Sequence, residues 1–347
     1  MSLGFYVDVQ RCIGCRTCQV ACKDRHNLQA AGPRTRRVGS FECGMYPEVG
    51  MFHLTVSCNH CDDPACVAGC PTGAMFKSDD GTVQHVDDCC VVCRNCMITC
   101  PYGAPQFDED RDEIVLRMKA AGMTAAVTIA CDDEDLPKLA ALLPQYEGFL
   151  FGAWAVHPEY PDHREADVDE IAEVASRPGM VAVGETGLDF YWCKEPLDWQ
   201  RARFRTHIAA ARKVGKPLII HARDSEAQAL EILRETRAGD MGFVMHCFCG
   251  DAETALAVVD AGGMVSFTGN LTFKKNDALR EVARAVPLAN LMIETDAPYM
   301  APVPYRGKRC EPQYCLEVAR TIADVKGLPL DEVLPQITAN SRRFFRV

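Results

Sequence analysis

Residues Cys90-Val-Val-Cys-Arg-Asn-Cys-Met-Ile-Thr-Cys-Pro-Tyr-Gly-Ala-Pro-Gln-Phe-Asp108 decide the reading of the whole chain. On their amino-terminal side Cys90, Cys93, Cys96 and Cys100 stand at C-x2-C-x2-C-x3-C-P spacing. That spacing wraps a cubane iron–sulfur cluster and passes its fourth thiolate to a neighbouring cluster. Past this stretch the clustering of cysteines stops. Short apolar strands and amphipathic helices alternate instead, with acid and imidazole side chains at the strand ends.

Working outward to the left, Cys12, Cys15, Cys18 and Cys22 repeat the same spacing, after a short strand signal at Gly4-Phe-Tyr-Val-Asp-Val9. Cys58, Cys61, Cys66 and Cys70-Pro71, slightly wider, follow the strand-like Met51-Phe-His-Leu-Thr-Val56, so in chain order the groups at residues 12–22, 58–70 and 90–100 are the first, second and third. Soft thiolates suit the iron of a cubane, and the x2 spacing turns successive thiols toward one cluster face. Zinc is the alternative, but it favours separate pairs of cysteines over triplets followed by C-P. Cys43, Cys89, Cys131, Cys193, Cys247, Cys249, Cys310 and Cys315 lie outside this scheme, and most are expected to be plain thiols, since free Cys behaves as a small buried hydrophobe. Cys310 or Cys315 is a conceivable cap for the first group.

Composition sets the limits. The chain has 347 residues, which exceeds one ordinary domain. No run reaches the roughly 18 apolar residues that span a bilayer. The first residues lack a signal core, so the expected location is cytoplasmic, where twenty cysteines point to clusters before disulfides. A net charge of −11 excludes a globally basic, nucleic-acid-coating protein. A local anionic site survives that exclusion, because bound cations reverse the field where it matters.

To the right, a helix is expected over Asp110 to Ala121 and another around Pro137 to Leu143. Strands are expected over Ala125 to Ala130, Phe149 to Val156, Met180 to Gly184, Pro217 to Ile220, Gly242 to Met245, Met264 to Phe267 and Ala289 to Ile293. Their continuous apolar runs are what parallel strands covered on both faces require. The fold expected is an α/β, TIM-type βα barrel with its first strand missing, preceded by a small ferredoxin-like α+β iron–sulfur domain. Residues 1–106 form the first domain and 107–347 the second. His157, Glu185, His221, His246 and Asp296 each follow a strand, and in a barrel such side chains converge on one mouth, giving mixed imidazole and carboxylate ligation for a water-activating divalent cation.

The cysteine-rich part, residues 3 to 106, resembles the four-cluster electron-transfer subunit of the dimethyl sulfoxide reductase family. It does so through Arg11-Cys-Ile-Gly-Cys-Arg-Thr-Cys-Gln-Val-Ala-Cys-Lys23, Cys58-Asn-His-Cys-Asp-Asp-Pro-Ala-Cys66 and Cys100-Pro-Tyr-Gly-Ala-Pro-Gln106. The resemblance implies one 4Fe-4S cluster on Cys58, Cys61, Cys66 and Cys100, and another on Cys90, Cys93, Cys96 and Cys70. The family's fourth cysteine group is absent, so a third cluster on Cys12, Cys15 and Cys18 is incomplete and Cys22 has none to complete. Electron transfer would need a redox partner, which the sequence does not name.

The second part, Phe107 to Phe345, resembles the TatD family of metal-dependent deoxyribonucleases. The motifs are Gly184-Glu-Thr-Gly-Leu-Asp189, Ile220-His-Ala-Arg-Asp224, His246-Cys-Phe248, Glu294-Thr-Asp-Ala-Pro-Tyr299 and Pro302-Val-Pro-Tyr-Arg-Gly-Lys308. The resemblance implies a two-metal phosphodiesterase (Mg, Mn or Zn) with DNA as substrate. Glu185 would bridge the ions, His221 and His246 would bind the second, and Asp296 would be ligand and acid/base partner. His157, Arg223, Arg306 and Lys308 are candidates for substrate contact, the cations toward phosphate, although each could equally be a solvated rim charge. The family's His-x-His pair, which holds the first metal, is replaced by Met97-Ile-Thr-Cys-Pro-Tyr-Gly-Ala-Pro105.

Three functions remain open on these grounds: a fused ferredoxin and incomplete deoxyribonuclease, an electron-transfer protein with a silent barrel, and a reading frame joined from two genes near residue 105. Only the second and third cysteine groups complete each other. Protein purified without oxygen should therefore carry two stable cubanes, about eight irons per chain. Iron and sulfide analysis giving three or four intact cubanes would overturn this count.

Overall fold

The structure, a computed structural model, describes residues 7–26, 35–86, 89–91, 93–106, 110–194 and 197–347. It divides into two compact units, Met1–Leu116 with Gly307–Arg309, and Arg117–Arg306 with Cys310–Val347. That division falls past the 106/107 seam expected from the cysteines. Among the described residues no helix is long and apolar enough to cross a membrane.

In the first unit, α1 (Thr17–Arg25) leads to an antiparallel hairpin of β1 (Arg36–Met45) and β2 (Glu48–Ser57). A short helix α2 (Ala65–Ala68), a second hairpin of β3 (Met75–Lys77) and β4 (Val83–His85), and α3 (Asn95–Thr99) follow. Cys18 and Cys22 lie four residues apart on α1, hence on one helix face. The strand signal at residues 4–9 is not carried through: residues 7–9 form no strand, and residues 4–6 lie outside the described residues.

In the second unit the barrel strands are β5 (Ala126–Ala130), β6 (Leu150–Trp154), β7 (Met180–Asp189), β8 (Leu218–Arg223), β9 (Phe243–Met245), β10 (Gly263–Phe267) and β11 (Leu291–Ile293). Each pairs in parallel with its sequence neighbour, giving one curled seven-stranded sheet in the order β11-β10-β9-β8-β7-β6-β5. This is the TIM-type architecture, with seven strands among the described residues where closure takes eight. One inward residue per strand builds its interior: Ala153, Ala182, Ile219, Val244, Met264 and Met292, with Val127 and Ile129 of β5 packed against them.

Helices α4 (Arg111–Ala120), α5 (Leu136–Leu142), α6 (Val168–Ser176), α7 (Asp198–Val214), α8 (Glu226–Glu235), α9 (Ala252–Asp260), α10 (Asp277–Ala285) and α11 (Cys315–Lys326) come before the last, α12 (Leu330–Phe345), which packs Phe344 and Phe345 against the same interior cluster. Buried Asn340 fixes α12 by donating from its amide to the carbonyls of Leu288 and Leu291, at 2.8 and 2.9 Å. These bonds sit at the start of β11, which leaves the opposite, carboxyl ends of the strands to the loops that carry function.

Strand β7 runs past the expected Gly184 to Asp189, so Glu185 lies inside a strand and not after it. Pairing with β8 shifts register between Val183 and Thr186, and such an irregularity re-aims a side chain. Two glycines permit the close approach. A Cβ on Gly184 would lie 2.6 Å from the Ile219 Cβ, and one on Gly187, at φ +145°, would lie 1.9 Å from the His221 carbonyl oxygen.

Gly187→Ala should therefore cost about 3 kcal/mol, since both backbone strain and a clash must be relieved. All three tryptophans, Trp154, Trp192 and Trp199, belong to the second unit, so urea unfolding followed by tryptophan fluorescence reports on the barrel. An unchanged midpoint would refute the clash.

Candidate functional site

Glu185 is the centre of the barrel's polar cluster. Its Oε1 lies 2.7 Å from His246 Nε2, 3.2 Å from His221 Nδ1 and 3.6 Å from His157 Nε2. The three imidazoles come from three places: the loop after β6, the inner part of β8, and the residue after β9. A carboxyl this buried would ordinarily resist ionisation, but the imidazoles, His246 foremost, outweigh burial and hold Glu185 well below the usual carboxylate range.

Further carboxylates hold the imidazoles in turn. Asp189, fully buried, places Oδ2 3.0 Å from His221 Nε2. Burial opposes the Asp189 charge, yet the bond to His221 and the Trp192 backbone N–H bring its pKa down to about 2. Glu294 Oε2 lies 2.9 Å from His246 Nδ1, while its Oε1 accepts the Cys247 backbone N–H at 2.5 Å. Burial lowers the basicity of both imidazoles, and the surrounding carboxylates reverse the sign. His221 is pushed up to about 9 and His246 well above its ordinary value. Asp296 lies three residues past β11, with Oδ1 3.9 Å from His246 Nδ1. Its carboxyl moves up, through burial and then the neighbouring Glu294 and Glu185 charges, which outweigh the pull of His246.

The donor chemistry fits a divalent cation. Glu185, His221 and His246 each offer a ligand atom, all within 4.8 Å of one another, as do His157, Glu159 and His221. Glu159, Asp189 and Glu294 were not singled out from the sequence. Asp189 and Glu294 stand inside the quoted motifs and Glu159 follows His157-Pro158, so proximity to a motif was the only signal available. No two of the chain's nine histidines stand two apart, so no His-x-His pair exists elsewhere.

The weaker candidates are placed as follows. His157 joins the cluster. Arg223 is exposed, its guanidinium 4.1 Å above the Tyr191 ring, and Arg306 lies 3.7 Å over Phe273. Lys308 is exposed and falls, with Gly307 and Arg309, in the first unit.

In the first unit Cys70, Cys90, Cys93 and Cys96 line one cavity together with Thr72, Ala74, Met75 and His85. Cys66 and Cys96 form a small core with Met75, against which Cys70 and Cys100 pack. The Cys66 thiol is moved up by burial first and then by the neighbouring thiols of Cys100 and Cys58. Burial followed by Cys90, Cys93 and Cys70 pushes Cys96 up to about 11. Cys66 thus responds to members of the set that the resemblance implies for it, and Cys96 to its own set and also to Cys66 of the other. In the first group, Cys18 Sγ lies 3.7 Å from Thr55 Oγ1 and Cys22 Sγ lies 2.8 Å from Thr35 Oγ1. Of the cysteines outside the three groups, Cys310 and Cys315 are buried, whereas Cys43 and Cys249 are exposed. Cys43 sits on a surface hairpin strand and Cys249 in a loop after β9, so neither has a core to enter.

A histidine whose pKa is raised on folding contributes stability that is complete below its unfolded value, about 6.5, and disappears as pH climbs through the folded value. With chelator present, the barrel's unfolding midpoint should fall between pH 6.5 and the His221 value of about 9. His221→Asn should flatten that slope. A wild-type midpoint that rises over this window would refute the imidazolium–carboxylate account.

With this geometry in hand, comparison with known proteins adds the lineage. Residues 99–346 match the family described as TatD related DNase, and residues 49–131 match the 4Fe-4S dicluster domain. The uncharacterized metal-dependent hydrolase YabD of Bacillus subtilis (strain 168) is 38% identical over 245 residues, 70% of this chain and 96% of that protein. The probable anaerobic dimethyl sulfoxide reductase chain YnfG of Escherichia coli (strain K12) is 45% identical over 118 residues, 31% of this chain and 56% of that protein. Among solved structures, the TatD homolog YJJV of Escherichia coli K12 superposes with a TM-score of 0.65 at 26% identity, covering 70% of this chain and 94% of that one. Glu185 and its three imidazoles sit in the matched barrel, and the chain belongs to the TatD related DNase family, with a 4Fe-4S dicluster domain at its amino-terminal side.

Proposed function

We propose that the barrel hydrolyses phosphodiester bonds in DNA with a divalent cation, Mg2+, Mn2+ or Zn2+, and that the cysteine groups carry two complete 4Fe-4S clusters serving electron transfer. The observation that carries the hydrolase reading is one buried carboxylate oxygen, Glu185 Oε1, with imidazole nitrogens at 2.7, 3.2 and 3.6 Å. The family name and the metal-dependent hydrolases among its relatives support it.

Glu185, His221 and His246 would hold the cation, which when bound would supply Lewis acidity toward a phosphoryl oxygen and a bound water. The chain's own residues do the rest. Asp189 and Glu294 fix the tautomer and orientation of the two imidazoles, as partners beyond the ligands do in metal sites. Asp296, whose raised pKa suits it to hold a proton, takes one from the attacking water and returns it to the leaving oxygen.

The seven-stranded sheet and the absent His-x-His pair favour a site impaired at its first metal position. Single-stranded DNA with added Mg2+, Mn2+ or Zn2+ should accordingly be cut weakly, and Glu185→Ala or Asp296→Asn should abolish the cutting. Replacing residues 1–105 by an apolar strand ending in His-x-His should raise hydrolysis by several orders of magnitude, since it restores the clamp on attacking and leaving oxygens. Wild-type activity equal to that of the rebuilt chain would mean the site is complete, and cutting that survives both substitutions would place the chemistry elsewhere.

A further inference from the structure

Exposed single hydrophobic residues are ordinary on a protein surface, but a cluster at one rim is not. Among the described residues of the second unit every exposed aromatic side chain, Tyr160, Tyr191, Trp192 and Tyr299, stands in a loop after the carboxyl end of a barrel strand. Tyr191 and Trp192 are the adjacent pair, 46% and 62% exposed, their rings edge to face at 4.8 Å. The Arg223 guanidinium lies 4.1 Å from the Tyr191 ring centre and 5.6 Å from that of Trp192, and Lys194 Nζ lies 5.9 Å from Tyr191.

This group is tied to the metal-ligand candidates. The Trp192 backbone N–H donates to Asp189 Oδ1 at 2.6 Å, and the other oxygen of Asp189 bonds His221. The Phe190 N–H donates to the Arg223 carbonyl at 2.9 Å, lacing the aromatic loop to the end of β8. Arg223 follows His221 by two residues on that strand, so it shares its face about 6.6 Å further along. The rings and the cation are thus tied to the same two residues, Asp189 and Arg223, that flank His221 of the Glu185 cluster by bond and by strand position.

We propose that Tyr191, Trp192 and Arg223 form a stacking bracket for one unpaired nucleobase beside the phosphodiester at the Glu185 cluster. The inference rests on the phosphodiesterase reading above and deepens it by naming what positions the strand. Every base offers a π-face, so aromatic rings backed by arginine accept any base without reading its edge. A base inside a duplex is already stacked and cannot enter without being extruded. An apolar peptide is the weaker occupant, because two cations accompany the rings and a nucleic-acid strand brings the complementary charge.

The test uses the full chain with EDTA, so that binding is read without cleavage. Fluorescence anisotropy compares a labelled eight-residue thymidine strand with an abasic strand carrying the same phosphates. Wild type should prefer the base-bearing strand about tenfold or more, given the usual worth of one stacked base. Trp192→Ala should collapse that ratio toward one, and Trp192→Phe should restore most of it. Equal binding of the two strands by wild type, no binding of either, or a ratio unchanged in Trp192→Ala would each overturn the bracket. Turnover of bis(4-nitrophenyl) phosphate by wild type with Mn2+ checks the underlying reading separately. Its absence would overturn phosphodiester hydrolysis while leaving the anisotropy ratio to judge the bracket.

Discussion

The barrel is organised by the need to keep one carboxylate ionised in a buried place. Ionising Glu185 without partners would be prohibitively costly. Three imidazoles from three separate places in the sheet repay that cost. The requirement propagates outward: His221 needs Asp189, His246 needs Glu294, and Asp189 needs the Trp192 backbone N–H and the Gln200 side-chain oxygen that its own N–H bonds at 3.1 Å. Strand order, the register shift in β7 and the glycines at 184 and 187 all serve to bring those groups within reach of one oxygen.

A closed barrel would present no edge strands. Among the described residues β5 and β11 each pair with a single neighbour, and their flanks are the places where another strand could add. The interior is nonetheless filled, because each strand sends one apolar residue inward and α12 brings Phe344 and Phe345 against them. Interior packing and edge satisfaction are separable: a sheet can gain most of its core from seven strands while keeping two unpaired rows of peptide groups.

Much of this was legible in the residues, and the physical reason differs from case to case. The seven barrel strands could be read because parallel strands buried on both faces must be uniformly apolar, as Val181-Ala-Val183 and Leu218-Ile-Ile220 are. The thiol sets could be read because cluster ligation imposes a spacing. Glu159, Asp189 and Glu294 were harder, since an acid that orients a histidine obeys no spacing rule and becomes visible only when the imidazole's second nitrogen is located. The extension of β7 past Gly184 is hidden for a similar reason: Glu185 and Asp189 look like a loop in composition, and only the pairing of Gly187 with His221 and of Asp189 with Arg223 across β8 makes the stretch strand. Arg223 stays divided in the sequence between a phosphate contact and a solvated rim charge, because the residues cannot show that its guanidinium lies over Tyr191.

Twenty cysteines and a hydrolase-type site in one chain raise the question of how soft and harder ligation stay apart, and burial supplies an answer. Thiols ligate as thiolates. In the barrel, burial pushes Cys310 and Cys315 up to about 12 and moves Cys131 and Cys193 up as well. Contact with Cys249, together with burial, holds Cys247 well above the ordinary range, although it is the residue next to His246. Shifted this way, these thiols are poor ligands near neutral pH beside Glu185, His221 and His246. Cys249 alone among the barrel thiols moves down, through its contact with Cys247, and it is exposed. In the first unit Cys66 and Cys96 are likewise moved up, by burial first and then by neighbouring thiols. Cys247 and Cys249 show the same sulfur-on-sulfur effect in the barrel, so crowding by sulfur does not by itself separate the two units. Number does: four cysteines, Cys90, Cys93, Cys70 and Cys66, act on Cys96, whereas Cys249 is the one cysteine acting on Cys247, and a cubane takes four thiolates.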